Sequence, residues 1–469
     1  YRSVPASGVL AEVVDGGVTT RVAFDPMGRL AQRQAAVADR EQTETFAYYP
    51  GGMLGEARNE HARLQYFYDD AGNLTRENHV YLKLGKTAVW RHRYDELNQR
   101  IGTTRPDGHT LEWLTYGSGH VHGLMLDGEE VVGFERDALH REVHRGQSNG
   151  IEQTQRFDPV GRLLQQSLAH QKTRPKTEHA WEVLVDNSRA FNGYASQLSV
   201  QPAIRRNYRY SKTGELVGIG DTRRGGLAYR YDAVGRLLAT RCNPFAGDAH
   251  EGFDFDPAGN ILPVAPPIVD VRMPQQKAAL PKVLDNLIKQ YISTRYAWDE
   301  RGNLTERQQN GEATEFKWDA FNRMAEAKSD RWSARFAYDP LGRRIAKWSH
   351  ERRPESEGLT STATEILYGW DGDTLAFESN GGNERNGYVG NSVHYIHEAG
   401  SFVPLLQARS AWPIELNPTT DVAALKAANF GEYDIKKDPL WNGDSDPVLQ
   451  RFQPFDITFY QCDHLGTPM

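Results

Sequence analysis

Aromatic and polar residues alternate along short stretches of the chain, most clearly before a turn-forming sequence that recurs many times. Tyr229-Arg230-Tyr231 and Phe316-Lys317-Trp318 each place two aromatic rings two positions apart, with a cation between them. In a β-strand, residues two apart share a face and the residue between them lies on the other face. The pattern therefore predicts strands that have one aromatic-rich face and one polar face.

The recurring turn sequence is an aromatic residue, usually Asp, two variable residues, Gly or Asn, one residue and then an aliphatic residue. Asp accepts hydrogen bonds from backbone N–H groups ahead of it, Pro presets φ, and Gly or Asn suits a positive φ. Each copy therefore predicts a β-hairpin turn in which the aspartate is structural and is not half of a catalytic pair. The repeat residues are Phe24, Asp25, Gly28, Tyr68, Asp69, Gly72, Phe157, Asp158, Gly161, Tyr231, Asp232, Gly235, Phe255, Asp256, Gly259, Trp298, Asp299, Gly302, Trp318, Asp319, Asn322, Tyr338, Asp339 and Gly342, with looser copies at Tyr48, Tyr94, Asp137, Tyr210 and Trp370.

The number of copies predicts a very large sheet. Trp298, Trp318 and Tyr338 are separated by 20 residues each time, which is room for two strands per copy. Twisted sheets of more than ~10 strands curl, split or close, and side chains fill only small closed sheets. The predicted fold is all-β: a large spiralling sheet that forms part of a hollow cage, with short helical insertions. We expect the aromatic anchors to be largely buried between turns of this sheet.

Three stretches interrupt the repeat. Apolar residues at helical spacing predict a short amphipathic helix within 274–292, and a second short helix is predicted within 417–430. The first apolar stripe consists of Leu280, Val283, Leu284, Leu287 and Ile288. The predicted organisation is a shell at 1–261 with an irregular stretch at 167–205, a Pro-rich insertion with the short helix at 262–292, a shell at 293–409, a loop and helix insertion at 410–455, and a closing motif at 456–469.

Composition argues against several classes of protein. A nucleic-acid surface requires clustered Lys and Arg, whereas this chain has a formal net charge of -7 and scattered cations. Two cysteines, Cys242 and Cys462, cannot supply a disulfide framework, and no apolar run approaches the ~18–20 residues that span a bilayer. The first residues lack the layout of a signal peptide. Because the chain starts at Tyr1 and stops at Met469, we expect an internal fragment of a longer polypeptide.

Four histidines are candidates for a metal site. His120 and His122 would share one face of a strand, and His140 and His144 are close to them in sequence. Zinc sites need three or four ligands that are oriented by further hydrogen bonds. No matching cluster of Cys or acidic residues accompanies these histidines, so hydrogen-bonded strand histidines are the favoured interpretation.

Two further sequences match known kinds of site only in part. Asn442, Asp444 and Asp446 alternate as in a calcium loop, but Pro447 stands where an EF-hand loop needs Gly. Residues 462–464 are Cys-Asp-His, although catalytic partners are normally distant in sequence. No Gly-rich phosphate loop is present. We therefore expect no catalytic residue, no metal and no cofactor in this chain.

Several motifs resemble a known family. GHVHGLMLDG (119–128), FERDALHRE (134–142), DTRRGGLAYRYDAVGRL (221–237), YIHEAGSFVPLLQ (395–407) and above all YQCDHLGTPM (460–469) resemble the bacterial Rhs core. The turn sequence is similar to the YD repeat that this family shares with insecticidal toxin-complex shells and teneurins. The resemblance implies a β-cage around the C-terminal toxin of a polymorphic toxin, with a structural role for the closing residues Asp463, His464, Leu465, Gly466, Thr467 and Pro468.

The resemblance also implies partners and a route. The partners are the encapsulated toxin domain of the same polypeptide, a type VI secretion spike protein and an effector chaperone that act through N-terminal regions, and a cognate immunity protein. The shell itself is expected to bind neither nucleic acid nor membrane. It would reside in the producer cytoplasm and then be injected into a competing bacterium. The aspartates that cut the chain, and the toxin, are expected downstream of Met469.

Two other functions stay open. An aromatic-rich repeat sheet also suits a surface adhesion or carbohydrate-binding module, in which Trp and Tyr would line an outer groove. An enzyme, such as a glycosidase or the aspartic autoprotease, would need two carboxylates about 5–10 Å apart in a cleft. Burial separates the first two functions: anchors packed between hairpins favour a container, and anchors in one open groove favour binding.

Overall fold

The computed structural model describes residues 10–37, 40–170, 203–243, 249–259, 261–262, 283–284, 287–288, 290–291, 294–351, 362–382 and 390–468. These residues form 37 β-strands and two short α-helices, so the fold is all-β, as predicted. The chain divides into two compact units: unit 1 comprises Tyr1–Glu112 and Gln276–Met469, and unit 2 comprises Trp113–Gln275. The segment limits derived from the sequence, at 261, 292, 409 and 455, stay predictions.

The strands are short and follow one another closely along the chain. The first ten are β1 (Leu10–Asp15), β2 (Val18–Phe24), β3 (Leu30–Val37), β4 (Arg40–Tyr48), β5 (Leu54–Arg58), β6 (Ala62–Tyr68), β7 (Leu74–Tyr81), β8 (Lys86–Tyr94), β9 (Arg100–Thr104) and β10 (Thr110–Tyr116). Unit 2 continues with β11 (His120–Leu126), β12 (Glu129–Arg136), β13 (Glu142–Gln147), β14 (Ile151–Phe157), β15 (Leu163–His170), β16 (Ile204–Tyr210), β17 (Leu216–Asp221), β18 (Gly225–Tyr231), β19 (Leu237–Asn243), β20 (Ala249–Gly252), β21 (Asp254–Phe255) and β22 (Ile261–Leu262). The second part of unit 1 has β23 (Val283–Leu284), β24 (Leu287–Ile288), β25 (Gln290–Tyr291), β26 (Thr294–Trp298), β27 (Leu304–Gln309), β28 (Glu312–Trp318), β29 (Met324–Lys328), β30 (Trp332–Tyr338), β31 (Arg344–Glu351), β32 (Thr362–Asp371), β33 (Thr374–Asn380), β34 (Asn391–His397), β35 (Pro404–Ser410), β36 (Asn417–Pro418) and β37 (Ile457–Phe459).

Most strands pair antiparallel with the next strand along the chain, so that the sheets are largely successions of hairpins. Exceptions are β36, which pairs with β8, and β37, which pairs with β35. An irregularity recurs at the aromatic anchors. In the β18–β19 ladder, Arg230 pairs with Ala239 but Tyr231 pairs with Leu237, which leaves one extra residue in the second strand. The same register shift occurs at the anchors of other hairpins. Because bulges bend a strand and increase its twist, each hairpin adds a local bend.

The faces of the strands alternate as predicted. In β28, Thr314, Phe316 and Trp318 are buried or half-buried, whereas Glu315 and Lys317 between them are exposed. Strand β18 shows the same period of two. One side of these strands is therefore aromatic-rich and the other is polar.

In unit 1, strands β6–β8 pack face to face against β30–β33. Trp90 and Phe377 are 1% and 0% exposed, and their rings stack with centroids 6.3 Å apart. The surrounding cluster combines alanines, among them Ala62, Ala88 and Ala346, with larger side chains such as Ile345 and Leu367. The alanines let the two sets of strands approach closely where the larger side chains do not fill the space. The lumen that the pattern predicted therefore does not extend between these strands.

Gly369 makes room for the Phe377 ring. The two residues pair directly in the β32–β33 ladder. A Cβ atom on Gly369 would lie 2.0 Å from Cε1 of Phe377. The ring thus occupies space that any other residue at position 369 would fill.

A buried carboxylate joins the two parts of unit 1. Glu44 on β4 is 1% exposed, and its carboxylate accepts hydrogen bonds from Arg33 on β3 and from Nη1 of Arg323, the latter at 2.8 Å. Burying a carboxylate is tolerable only when charged donors satisfy it. Both guanidinium groups supply that compensation here.

The helix predicted within 274–292 is wrong where the structure describes that segment. Val283 pairs with Ile288, and Leu284 pairs with Leu287, in the antiparallel strands β23 and β24. Leu280 lies outside the described residues. Short runs of branched apolar residues suit a strand as well as a helix, and periodicity alone does not separate the two.

The helix predicted within 417–430 is confirmed. It is α1 (Val422–Ala428), and the Asp421 side chain caps it by accepting the backbone N–H groups of Ala423 and Ala424, both at 3.0 Å. A second helix, α2 (Pro439–Asn442), follows it. Neither helix, nor any other in the described ranges, has the length and apolar character required to cross a membrane.

We expect Phe377→Ala to lower the free energy of unfolding by about 3–5 kcal/mol, because it empties a fully buried aromatic position. Urea unfolding followed by tryptophan fluorescence measures this. Phe402→Ala is the matched control: Phe402 is 73% exposed, and its loss should change stability by less than about 0.5 kcal/mol. Similar losses in the two variants would contradict the face-to-face core.

Candidate functional site

The repeat turn makes one carboxylate the acceptor for three donors. In the turn after β18, Oδ1 of Asp232 accepts the backbone N–H groups of Val234 at 3.0 Å and Arg236 at 2.8 Å, and Oδ2 accepts Nε of Arg236 at 2.6 Å. The N–H of Gly235 donates to the Asp232 carbonyl, and its φ of 84° lies in the left-handed region that favours Gly. A single side chain thus closes the turn and orients the arginine.

We name this arrangement the Asp–Arg clamp. Five other turns have it, namely Asp25–Arg29, Asp137–Arg141, Asp158–Arg162, Asp319–Arg323 and Asp339–Arg343. At Asp69 and Asp299 the partner is an asparagine, Asn73 or Asn303. At Asp256 the structure places the same Gly N–H to Asp carbonyl bond, from Gly259 at 3.0 Å. In the turns with these side-chain bonds, the aspartate thus has the turn-forming role predicted for it.

The clamped arginine also contacts the hairpin that follows. The guanidinium carbon of Arg29 lies 4.7 Å from the centroid of the Tyr48 ring, and Nη1 of Arg29 donates to the Tyr49 carbonyl at 3.2 Å. Arg162 lies in the same way over Tyr210, at 4.9 Å. A cation over an aromatic face stabilises by ~0.5–1 kcal/mol at exposed sites. Each clamp therefore links one hairpin to the next.

The anchor rings bind in the opposite direction, to the hairpin that precedes them. The hydroxyl of Tyr231 donates to the Leu216 carbonyl at 2.9 Å, and Nε1 of Trp318 donates to the Leu304 carbonyl at 2.7 Å. We name this bond the aromatic tie. The other anchors that make it are Tyr48, Tyr68, Tyr94, Tyr210, Tyr338 and Trp370.

The anchors that we expect to be largely buried are half-buried in the structure, and the further anchor Tyr338 is buried more deeply. Tyr338 is buried, at 9% exposure. An arginine lies over the ring of several anchors, among them Phe157, Phe255 and Tyr338. The half-buried anchors are Phe24, Tyr68, Phe157, Tyr231, Phe255, Trp298 and Trp318.

The closing motif folds as a further copy of the repeat turn. Oδ1 of Asp463 accepts the N–H groups of Leu465 at 2.8 Å and Thr467 at 2.9 Å, and the N–H of Gly466 donates to the Asp463 carbonyl at 3.1 Å. Thr467 stands where the other turns carry Arg or Asn. The motif that is most specific to the family resemblance is thus a variant of the same turn.

This closing turn packs against the preceding hairpin. Strand β37 pairs with β35, and Cys462 forms a bridge with Pro468 beside it. Gly466 has a φ of 82°, and a Cβ atom there would lie 2.5 Å from Cγ2 of Val403. The close approach explains why this position requires Gly for steric as well as conformational reasons.

The candidate zinc histidines lie in unit 2. His120 and His140 stack with ring centroids 3.6 Å apart, and His122 lies on the same strand as His120. His144 pairs with Glu152. Over the ranges that the structure describes, none of them belongs to a group of three converging metal-ligating atoms.

The other candidate sequences are engaged in local contacts. Asn442 donates to Asp444 at 2.6 Å, whereas Asp446 accepts Nη2 of Arg91 at 2.9 Å. In the Cys-Asp-His sequence at 462–464, the carboxylate bonds to the backbone of its own turn. Burial lowers the pKa of the histidine there, although the adjacent aspartate opposes this.

Sequence reasoning missed the arginines of the clamp and a buried acid–histidine network. Oxygens of Glu77 lie 2.9 Å from Nε2 of His79 and 3.1 Å from Nε2 of His92, and Nδ1 of His92 lies 3.0 Å from Oγ1 of Thr103. Burial opposes ionisation of Glu77, but hydrogen bonds from the two histidines hold its pKa well below the ordinary value. Two features of the sequence could have indicated them: an Arg four residues after the turn Asp for the clamp, and a Glu-x-His spacing on one strand for the network.

Comparison with known proteins places the chain among bacterial toxins, although no family model matches it. It is 30% identical over 480 residues to "Toxin protein Tse5" of Pseudomonas aeruginosa, which covers 95% of this chain and 32% of that protein. It is 30% identical over 320 residues to "Double-stranded DNA deaminase toxin A" of Burkholderia cenocepacia, covering 67% of this chain and 19% of that one. "Probable deoxyribonuclease RhsA" of Dickeya dadantii is 26% identical over 268 residues, 55% of this chain and 15% of the relative. The chain spans about a third or less of the length of these relatives.

Among solved structures, the crystal structure of TcdB2-TccC3 is similar in fold. The TM-score is 0.54 over 86% of this chain and 22% of that one, with 12% sequence identity. The complex of the same proteins described as TcdB2-TccC3-Cdc42 gives a TM-score of 0.51 at 11% identity, over 87% of this chain and 23% of that one. At this identity the likeness concerns the fold alone.

We expect the clamp aspartates to make stability depend on pH. The Arg141 side chain lowers the pKa of Asp137, and the backbone N–H of Arg236 lowers the pKa of Asp232, below the ordinary 3.8. A carboxyl with a lowered pKa in the folded state stabilises the fold above its unfolded pKa, and this contribution is lost as the pH falls through the folded pKa. The Tm of Asp232→Asn should therefore lie below that of the wild type at neutral pH, and the gap should close below pH ~4.

Thermal unfolding followed by circular dichroism between pH 7 and about pH 2.5 tests this. Asp330→Asn, which changes an exposed aspartate of another turn, is the control and should leave Tm unchanged at every pH. A gap for Asp232→Asn that is the same at all pH values would show that its charge plays no part.

Proposed function

Because the chain belongs to the Rhs family of polymorphic toxins, we propose that it forms most of a β-shell that encapsulates a toxin domain located C-terminal to it in the same polypeptide. The observation that carries the proposal is the combination of clamp and aromatic tie in successive hairpins. Together they let one sheet grow hairpin by hairpin to the size that a container requires. The chain covers 32% of the Tse5 toxin, so the relative has ample length for a toxin and for delivery regions.

The anchors favour a container over a carbohydrate-binding module. A sugar-binding aromatic residue presents an open face, whereas the Tyr48 ring has Arg29 over its face and its hydroxyl bonded to the Leu30 carbonyl. The same two contacts cover Tyr210. These rings are engaged in holding hairpins together, which supports a shell.

The proposal also covers the route and the partners. Toxic activity would reside in the domain that the shell holds, and the shell segment itself would have no catalytic turnover. Delivery would be by a type VI secretion system, with a spike protein and an effector chaperone bound through N-terminal regions. A cognate immunity protein would protect the producer, which would keep the toxin in its cytoplasm until injection into a competing bacterium.

The closing motif gives the sharpest test, on the full-length parent protein. Gly466→Val should clash with Val403, loosen the last hairpin and make the C-terminal toxin domain sensitive to protease. The matched control is Gly235→Val: it places the same residue at a φ of 84° in the same kind of turn, but with no atom within 4 Å of the new Cβ. It should carry the same backbone strain and leave the toxin domain protected.

The measurement is limited proteolysis followed by mass spectrometry, with circular dichroism to show that both variants retain their strands. We expect the toxin domain to resist digestion in the wild type and in Gly235→Val and to be cut in Gly466→Val. Digestion at the same rate in all three proteins would contradict encapsulation.

A further inference from the structure

A cavity of about 620 Å³ in unit 1 contains two buried histidines and an aspartate that the repeat does not use. Its lining includes Asp107, His109 and His394, together with apolar side chains such as Trp412 and Ile414. Asp107 and His109 lie in the turn between β9 and β10, and His394 lies on β34. The fold thus brings together residues that are 285 or more positions apart in the chain (394 minus 109).

The three side chains converge on one point. Nε2 of His394 lies 3.3 Å from Oδ2 of Asp107, and Nε2 of His109 lies 3.9 Å from the same oxygen. One potential ligand atom from each residue lies within 4.8 Å of the other two. Zinc binds nitrogen and oxygen at about 2.0–2.2 Å, so tetrahedral ligand atoms lie about 3.3 Å apart. One pair already has this separation, and the others need side-chain shifts of about 1 Å.

The histidines of this cluster are buried, and two atoms of Asp107 and His394 have no hydrogen-bond partner among the residues that the structure describes. His109 and His394 are 4% and 1% exposed. Within the described part of the chain, Nδ1 of His394 and Oδ1 of Asp107 are buried and make no hydrogen bond. Buried polar atoms without partners are costly, and Oδ1 of Asp107 is available to a cation bound beside Oδ2 of the same carboxylate.

One aromatic ring contacts both histidines. Phe452 stacks on His109 at 4.0 Å between centroids and meets His394 edge-on at 5.0 Å. The guanidinium of Arg105, which lies nearby, is held by main-chain carbonyls: Nη1 donates to Tyr395 and Nη2 donates to Ala376.

The second group of possible ligands in unit 1 lacks these features. Glu77 and His92 already bind each other, and Asp371 accepts two hydrogen bonds from Arg100, at 2.8 and 3.1 Å. The ligand atoms of this second group therefore already have hydrogen-bond partners in the protein.

We propose that Asp107, His109 and His394 bind a divalent transition-metal ion of the zinc class, with a further coordination position that faces the cavity. Two imidazoles and one carboxylate form a common zinc ligand set, and three protein ligands leave one position for water or another small ligand. The ion would crosslink the β9–β10 turn to β34. It would therefore stabilise the folded state, because it binds that state in preference to the unfolded chain.

The test uses the full chain, stripped of metal with a chelator and titrated with Zn²⁺ by calorimetry. We expect one equivalent to bind and the Tm to rise with the zinc concentration. Substitution with Co²⁺ should give the intense visible bands of a tetrahedral site. Asp107→Asn and His109→Gln, which largely keep side-chain volume, should each weaken zinc binding at least about tenfold and abolish the Co²⁺ bands.

His350→Ala is the control, because His350 is a half-buried strand histidine outside the cluster. It should bind zinc as the wild type does. His394→Ala adds a third ligand variant, but the outcome does not depend on it if that protein fails to fold. Absence of binding to the wild type, unchanged affinity in Asp107→Asn and His109→Gln, or an equal loss in His350→Ala would each overturn the metal site.

Discussion

The Asp–Arg clamp is the interaction on which the rest of this structure depends. A hairpin turn exposes backbone N–H groups that need acceptors, and at Asp232 one carboxylate oxygen takes two of them while the other oxygen holds Arg236. The same carboxylate therefore closes the turn and fixes the orientation of Arg236. At Arg29 and Arg162 that guanidinium lies on the ring of the following hairpin, so local turn chemistry becomes a contact between repeats.

Clamps and aromatic ties form chains of contacts that run in both directions along the sheet. The bulge beside each anchor bends the strand where the ring leaves it, as at Tyr231, so curvature and attachment arise at the same residue. Unit 1 adds a different kind of contact, since Trp90 and Phe377 pack two sets of strands face to face. Its stability therefore combines many modest polar links with one compact apolar layer.

The sequence was informative wherever the relevant physics is local. The Asp and Gly of the turns, the alternation around Phe316 and the cap of α1 all follow from residues within a few positions of one another. The half-burial of the anchors and the role of the arginines depend on the neighbouring hairpin, which a single repeat does not reveal. The helix prediction failed at Val283 and Leu284, which lie in a strand, because a short apolar run fits the periods of both a helix and a strand. The Asp107–His394 cluster and the Trp90–Phe377 stack join residues 287 positions apart in each case (394 minus 107, and 377 minus 90), so no spacing rule could predict them.

The aromatic tie ends on a main-chain carbonyl, as in the bond from Tyr231 to Leu216. Every residue type supplies that acceptor, so the tie places no demand on the side chain at the receiving position. A hairpin can then be duplicated, lost or exchanged between genes, and its new neighbours will present the same acceptor. The tie therefore allows sheets of this kind to change length in whole hairpins without matching changes in the side chains that receive it.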